Sequence, residues 1–517
     1  MSIPEDCTVL VIGGGPGGSY AASVLARENI DTVLLEAEYF PRYHIGESLL
    51  PSTREFLKFI DLYDRFESHG FKHKNGASFT YNSKPAAYTN FLPFGGHAWN
   101  VIRSEADHIF FQHAGESGAR TFQGVKVESL EFNTENGYTK SGLGQGLGRP
   151  VSAKWTRKDD GLAGTIRFKY LVDASGRAGI VSTKYLKNRR FNEGLKNIAV
   201  WGYFEGAATY GAGTPAEGGP FFPRLEDGSG WAWFIPLHNN TTSVGLVMNQ
   251  TSYALKKKQM PPRSSSKDFF LAHLNSAPGL ADLLTSATLT TTPSTTTAES
   301  SKDGDIKSTT DWSYSATAYS LPYTRIVGDA GCFIDPLFSS GVHIALTGAL
   351  TAAASICGSI RGHCSEPQAA SFHSTEIREV YTRFLLVVTS AYAQIRGREG
   401  DVLNEYKERD FGRAFGFLRP IIQGAVELNQ EKLTAEEVNE SVSFCLKVIE
   451  KVDPSIASAE GKTLCEDEFG QLACDRIKKA EMKAGIQKFE KEVINGMTMN
   501  LERGRLGLKT ILENGTC

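Results

Sequence analysis

Four short stretches of this chain carry residue types that could do chemistry. Gly13-Gly14-Gly15-Pro16-Gly17-Gly18 contains a G-x-G-x-x-G pattern, whose bare backbone can approach phosphate oxygens. Asp335-Pro336-Leu337-Phe338-Ser339-Ser340-Gly341-Val342 is a polar run opening into a helical pattern, and free N–H groups at such a start can hold a small anion. Trp231-Ala232-Trp233-Phe234-Ile235-Pro236 puts two indoles at i and i+2. On a strand these share one face and form a stiff apolar wall. Lys74, within Lys72-His73-Lys74-Asn75-Gly76-Ala77, offers a nitrogen that donates hydrogen bonds or becomes nucleophilic when desolvated. Each stretch has a bland alternative: a glycine turn, an ordinary helix start, a core strand and a solvated surface lysine.

The elements around the glycines decide between those readings. Cys7–Ile12 is a short apolar run, as expected of a strand buried on both faces. A helix is expected over Ser19–Glu28, then a second apolar strand, Thr32–Leu35, ending at Glu36. In that order Gly13 allows the tight turn, Gly15 admits a pyrophosphate and Gly18 lets helix pack on strand. The helix N-terminus favours phosphate, and Glu36 can accept ribose hydroxyls while repelling a 2′-phosphate. The expectation is a βαβ cradle for the ADP half of FAD, not NADP.

Further segments extend the cradle. Val101-Ile102-Arg103 with Asp107, Phe110 and Ala114 predicts a helix with an arginine at its mouth. Gly124–Val127 starts a strand, and Leu171-Val172-Asp173-Ala174-Ser175-Gly176 ends one at a turn. Arg325–Ala330 predicts a strand reaching Asp329, well placed for ribityl hydroxyls or, more plainly, for capping a helix, followed by a helix at about 341–356. Between about 195 and 325 alternating strands (Ile198–Phe204, Gly230–Pro236, Thr242–Met248) predict an inserted antiparallel sheet. Residues 286–302 are low-complexity and expected to form a disordered loop, and helical patterns dominate from 367. The fold class is therefore α/β, an FAD-binding βαβ domain with an inserted antiparallel β-sheet substrate domain; the layout resembles the flavin-dependent monooxygenases, which implies their glutathione-reductase-like fold. The expected divisions are 1–80, 81–195, 196–320, 321–366 and a helical region, 367–517.

Composition bounds the partners. The chain has 517 residues, 41% hydrophobic and 22% charged, with net charge −3, which gives no reason to expect nucleic acid. Eight cysteines lack C-x-x-C spacing, so reduced thiols in a cytoplasmic setting are expected, without a metal. The sequence begins almost directly with a strand pattern, leaving no room for a signal peptide. No uninterrupted apolar stretch reads as a membrane span.

Taken together, the layout resembles the flavin-dependent halogenases, and most closely the fungal phenol-type enzymes of aromatic polyketide biosynthesis. Arg42-Tyr43-His44-Ile45-Gly46-Glu47-Ser48, the K-x-G-A segment at Lys74, the tryptophan motif, the D-P-x-x-S-S-G loop and Tyr381-Thr382-Arg383-Phe384 carry the match. The resemblance implies FAD held by Gly13, Gly14, Gly15, Gly17, Gly18, Glu36, Arg42, Glu47, Arg103, Val127, Asp329 and Val342. It implies chloride or bromide at Ser340 and Gly341, a flavin-shielding wall of Trp231, Trp233, Ile235 and Pro236, and Lys74 as the catalytic residue. Reduced FAD and oxygen would turn chloride into hypochlorous acid, which travels through a tunnel to Lys74. There it is oriented by hydrogen bonding or captured as a chloramine, and a phenolic small molecule is then chlorinated. No second glycine fingerprint accompanies the first, so FADH2 would come from a separate flavin reductase.

One departure matters. The tryptophan-halogenase branch has a glutamate two positions before the residue matching Ser340, and Phe338 stands there. A phenol already activates its ring carbons, so this favours a phenolic substrate. Two rival readings stay open: a flavin-dependent aromatic hydroxylase, which would need no halide and no Lys74, and a non-catalytic FAD-fold escort protein, which leaves Lys74 and the tryptophan motif without a purpose.

Overall fold

The Asp6–Ile12 strand is apolar because it is buried on both faces. Val9 and Val11 pack with the helices, whereas Cys7, Leu10 and Ile12 pack beneath the opposite face. In the computed structural model, which describes residues 2–80, 86–92, 96–133, 147–290, 306–396 and 486–511, this strand is central. It pairs in parallel with Thr32–Leu35 and Ala163–Asp173. Thr324–Ile326 and Arg120–Phe122 extend the parallel set on either side. Val125–Asn133 and Arg149–Arg157 join the same sheet as an antiparallel meander.

The cradle helix spans Pro16–Arg27, starting three residues before the expected Ser19, with Gly15 as N-cap and proline in the first turn. Proline's fixed φ and missing N–H suit that position. Gly13 sits at φ +99°, and a Cβ there would lie 2.3 Å from the Ala174 carbonyl oxygen. Gly18 is still less replaceable, because a Cβ would come within 1.9 Å of the Gly13 oxygen.

The second sheet runs in the order 288–290, 189–205, 241–249, 230–236, 221–222, 76–79, 87–90, with Lys307–Ala316 paired to the long Arg189–Glu205 strand. The expected antiparallel insertion is present, with two corrections. Gly76–Phe79 and Ala87–Asn90 join it from before residue 196, and Gly76–Phe79 pairs in parallel with Phe221–Phe222. Within the expected 286–302 loop, Thr288–Thr290 is a strand on Tyr203–Glu205. Residues 291–302 lie outside the described residues.

The expected helix at 341–356 is longer, Ser340–Ile360. By length and composition it could cross a membrane, contrary to the expectation that no stretch could, yet 83% of its apolar window is buried. It is the core helix between Pro16–Arg27 and Glu366–Arg396. The region from 367 is not wholly helical. After Glu366–Arg396 the next described segment ends in a hairpin, Met497–Asn500 with Gly507–Thr510. Four-residue strands are too short to announce themselves by alternation.

Arg325, fully buried, pairs through Nη1 with Glu366 Oε1 at 2.8 Å and through Nη2 with Oε2 at 3.2 Å. This locks the strand end to the following helix. Glu366→Ala leaves a buried guanidinium unpaired and is expected to cost about 3–5 kcal/mol, measured by urea unfolding.

Candidate active site

A cavity of about 640 Å³ opens where the parallel strands end and meets the second sheet, within the size range of cofactor clefts. It brings together Gly13, Gly15, Gly17, Glu36, Arg42, Arg103, Val127 and Asp329 with Glu47, Trp231, Trp233, Ile235, Ser340, Gly341 and Val342. Residues read from segments more than 300 positions apart in the chain thus share one wall.

Four expected residues stand outside it. Gly14 is held instead against Phe111 and Glu36, and its N–H donates to Glu36 Oε2 at 2.5 Å. Gly18 lies against Gly13. Pro236 faces away from the indoles, and its carbonyl accepts from Asn100 Nδ2 at 3.1 Å. Lys74 does not line the cavity and is tied to the segment beside it. Its Nζ donates to the Leu49 carbonyl at 3.0 Å, while Glu47 and Ser48 line the cavity.

The cradle fits a dinucleotide. A Cβ on Gly15 would meet only the Arg42 guanidinium, at 3.5 Å, leaving the helix N-terminus open to phosphate. Glu36 Oε1 accepts from Glu38 N at 2.8 Å and lies 3.8 Å from Arg42 Nε. Asp329 falls inside the Gly328–Ala330 turn and makes no cap bond to it, which removes the plain capping alternative. Burial pushes its carboxyl up, while Arg177, Arg103 and Arg189 pull it back.

Arg103 opens the Arg103–Glu116 helix and is buried. It donates to Asp107 through Nε at 2.8 Å and Nη2 at 3.0 Å, and through Nη1 to the Ile45 carbonyl at 2.8 Å. Asp107 also accepts from Arg42 Nη1 at 3.1 Å. Its position four residues after Arg103 was the only sequence signal for this pairing.

The wall is larger than the motif. Trp201 and Trp233 both stand opposite Gly245 in register, and a Cβ on Gly245 would lie 2.2 Å from the Trp233 ring. The bare glycine lets the two indoles meet across the middle strand, centroids 6.2 Å apart, while Trp231 lies 6.0 Å from Trp233. Trp201 and Tyr203 alternate on one strand face, a signal present in Trp201-Gly202-Tyr203 but not singled out by sequence reasoning. Each indole N–H is satisfied: Trp201 donates to the Tyr43 hydroxyl, Trp231 to that of Tyr392 and Trp233 to Ser243.

The turn over residues 335–341 is fixed from outside. Asp335 Oδ1 accepts from Leu337 N at 2.9 Å, and Oδ2 accepts from the Tyr392 hydroxyl at 2.7 Å. Ser339 takes φ +56° as the N-cap of the Ser340–Ile360 helix. Tyr392, on the Glu366–Arg396 helix, therefore ties the tryptophan wall to this turn.

A glycine cradle open to phosphate, a polar turn at a helix start and a wall of indoles thus line one cavity, the arrangement of a nucleotide-binding enzyme site. Residues 6–205 match the FAD binding domain model and residues 154–400 the tryptophan halogenase model. A flavin-dependent halogenase of Aspergillus carbonarius is 52% identical over 99% of this chain and 100% of its own. The sulochrin halogenase of Aspergillus terreus is 48% identical over 98% of this chain and 94% of its own. The myxobacterial chondrochloren halogenase aligns with TM-score 0.67 and 26% identity, over 86% of this chain and 98% of its own. The chain belongs to the flavin-dependent halogenase family. It is an enzyme that uses FAD and a halide to halogenate a small aromatic molecule, and the hydroxylase and escort readings fall away.

Gly245→Ala forces the indole stack apart. It is expected to cost about 1–3 kcal/mol by overpacking, read by urea unfolding, and to weaken the exciton-coupled tryptophan signal in near-ultraviolet circular dichroism.

Proposed function

We propose that this enzyme chlorinates an electron-rich phenol of polyketide type, with Lys74 as the residue that carries chlorine to the ring. The observation that carries this reading is the burial of Lys74. The side chain is 2% exposed, its Nζ lies 5.2 Å over the Phe91 ring, and burial alone lowers its pKa to about 7. A neutral, desolvated amine is a nucleophile.

Bound FAD, once reduced, supplies the electrons that convert oxygen and chloride into hypochlorous acid. The chain's residues do the rest. Backbone N–H groups at Ser340 and Gly341 hold chloride at the cavity wall, helped by the helix N-terminus. Trp201, Trp231 and Trp233 keep the aromatic substrate away from the flavin. Hypochlorous acid passes the segment 47–49, and the Lys74 amine exchanges N–H for N–Cl with loss of water. The chlorine then moves to a ring carbon, and the proton displaced there returns to nitrogen.

Phe338 supports a phenol. At the position of the tryptophan-type glutamate it is buried with its ring 5.4 Å from Phe79, so this site offers apolar contact, not a carboxylate, beside the substrate. The single glycine fingerprint supports a separate flavin reductase as transient partner. The unpaired thiols of Cys7, Cys332, Cys357 and Cys364 support a reducing, cytoplasmic setting.

The test supplies the purified chain with FAD, NADH, a flavin reductase, chloride or bromide, and resorcinol-type phenols, with products read by mass spectrometry. Halogenated phenols are expected; halogenation of indoles but of no phenol would overturn the substrate assignment. Lys74→Ala is expected to abolish halogenation with flavin oxidation unchanged. Lys74→Arg does not restore it, because a guanidinium stays protonated. Since the free amine is the reactive form, the Lys74-dependent rate falls as pH drops below about 7.

A further inference from the structure

Glu47 is buried, 4% exposed, yet lines the flavin cavity. Its Oε1 accepts from the Tyr203 hydroxyl at 2.7 Å, and its Oε2 has no hydrogen-bond partner. Because Tyr203 gives its hydrogen to Glu47, the 3.0 Å contact between the Tyr203 and Tyr43 hydroxyls is donated by Tyr43. Tyr43 in turn accepts from Trp201 Nε1 at 2.7 Å. The hydroxyls form an oriented chain, from half-buried Tyr43 through Tyr203 to Oε1, which leaves Oε2, on a carboxyl that the Ser243 side chain also faces, as the place for a carboxyl proton.

The chemistry needs a proton there. Reduced FAD, oxygen, one chloride and one proton give oxidised FAD, hypochlorous acid and one water. That proton must enter a cavity walled by indoles. On the halogenase reading above, we propose that Glu47 donates this proton and that Tyr43 and Tyr203 replace it. A swing of the side chain opens the sealed Oε2 to the cavity that Glu47 lines, the Oε2–H bond breaks, and its proton joins the dioxygen-derived oxygen that leaves as water. Tyr203 passes its proton to Oε1 and takes one from Tyr43, which recovers it from solvent; a half-turn of the carboxyl and rotation of the two hydroxyls then restore the starting arrangement. This differs from a purely cofactor-holding role for Glu47.

The groups facing Glu47 suit a proton kept until needed. Burial raises its carboxyl to about 7, while Ser243, Tyr203 and Arg103 pull it back. Tyr43 and Tyr203 are themselves pushed up, by burial and by Glu47. The acid is therefore in its donating form below about pH 7.

The test compares wild type with Glu47→Gln and Tyr203→Phe. Infrared titration of the purified chain between pH 6 and 8 is expected to show a protonated-carboxyl band that Glu47→Gln removes. With FAD held at saturation, halogenation by Glu47→Gln falls about 10²-fold or more, the usual worth of a general acid, and peroxide accounts for the oxygen consumed. Tyr203→Phe should slow later turnovers more than the first and steepen the loss of rate above pH 7. Wild-type halogenation by Glu47→Gln, or an unchanged infrared band, overturns the proposal. If wild type halogenates no phenol, the substrate reading fails by itself, and the infrared band still decides whether Glu47 holds a proton.

Discussion

One guanidinium organises the strap, the segment 45–49 that runs between the glycine loop and Lys74. Arg103 is clamped to Asp107 by two hydrogen bonds, and its remaining nitrogen reaches back to the carbonyls of Ile45 and Gly46. That contact holds the start of the segment 45–49. Backbone bonds from Val101 to Glu47 and from Leu49 to Trp99 hold the rest. Without the clamp the segment would have no fixed distance from the glycine loop on one side or from Lys74 on the other. Asp107 also pairs with Arg42 beside Gly15, so one buried carboxylate holds both the arginine at the glycine loop and the arginine that anchors Ile45 and Gly46.

Burial then does the same thing to two groups of opposite charge. Removing water disfavours the ammonium of Lys74 and the carboxylate of Glu47 alike, bringing both to about 7. In direct contact each would ionise the other, giving an inert ion pair. The strap prevents this, because Lys74 is held by the Leu49 carbonyl and Glu47 by Tyr203. An amine and a carboxyl can therefore both stay neutral near physiological pH within a few residues of each other.

What the sequence made legible was what depends on local pattern. Gly13, Gly15 and Glu36 follow from a strand–turn–helix rhythm that any βαβ unit must keep, and the two motif tryptophans follow from alternation along one strand. The unread parts depend on pairing between distant strands. Trp201 joins the wall only because Trp201, Gly245 and Trp233 align across three strands, and no local periodicity encodes register. Tyr392 reaches Asp335 from a helix whose apolar pattern gives no hint of a polar task. Pro236 was read as wall because it follows the motif in sequence, yet strand alternation turns it to the other side. The helix at 340–360 looked shorter than it is because its boundary depends on packing as well as on cap residues.

Gly245 has a consequence for how this wall can change over generations. Positions 201, 233 and 245 are linked, since the space a side chain would take at 245 is already filled by the Trp233 indole, which leans on Trp201. A larger residue at 245 is tolerated only where 201 or 233 shrinks at the same time. The three positions should therefore drift as one correlated unit among halogenases of this type, and Gly245, which has no side chain, constrains the indole wall as firmly as the tryptophans do.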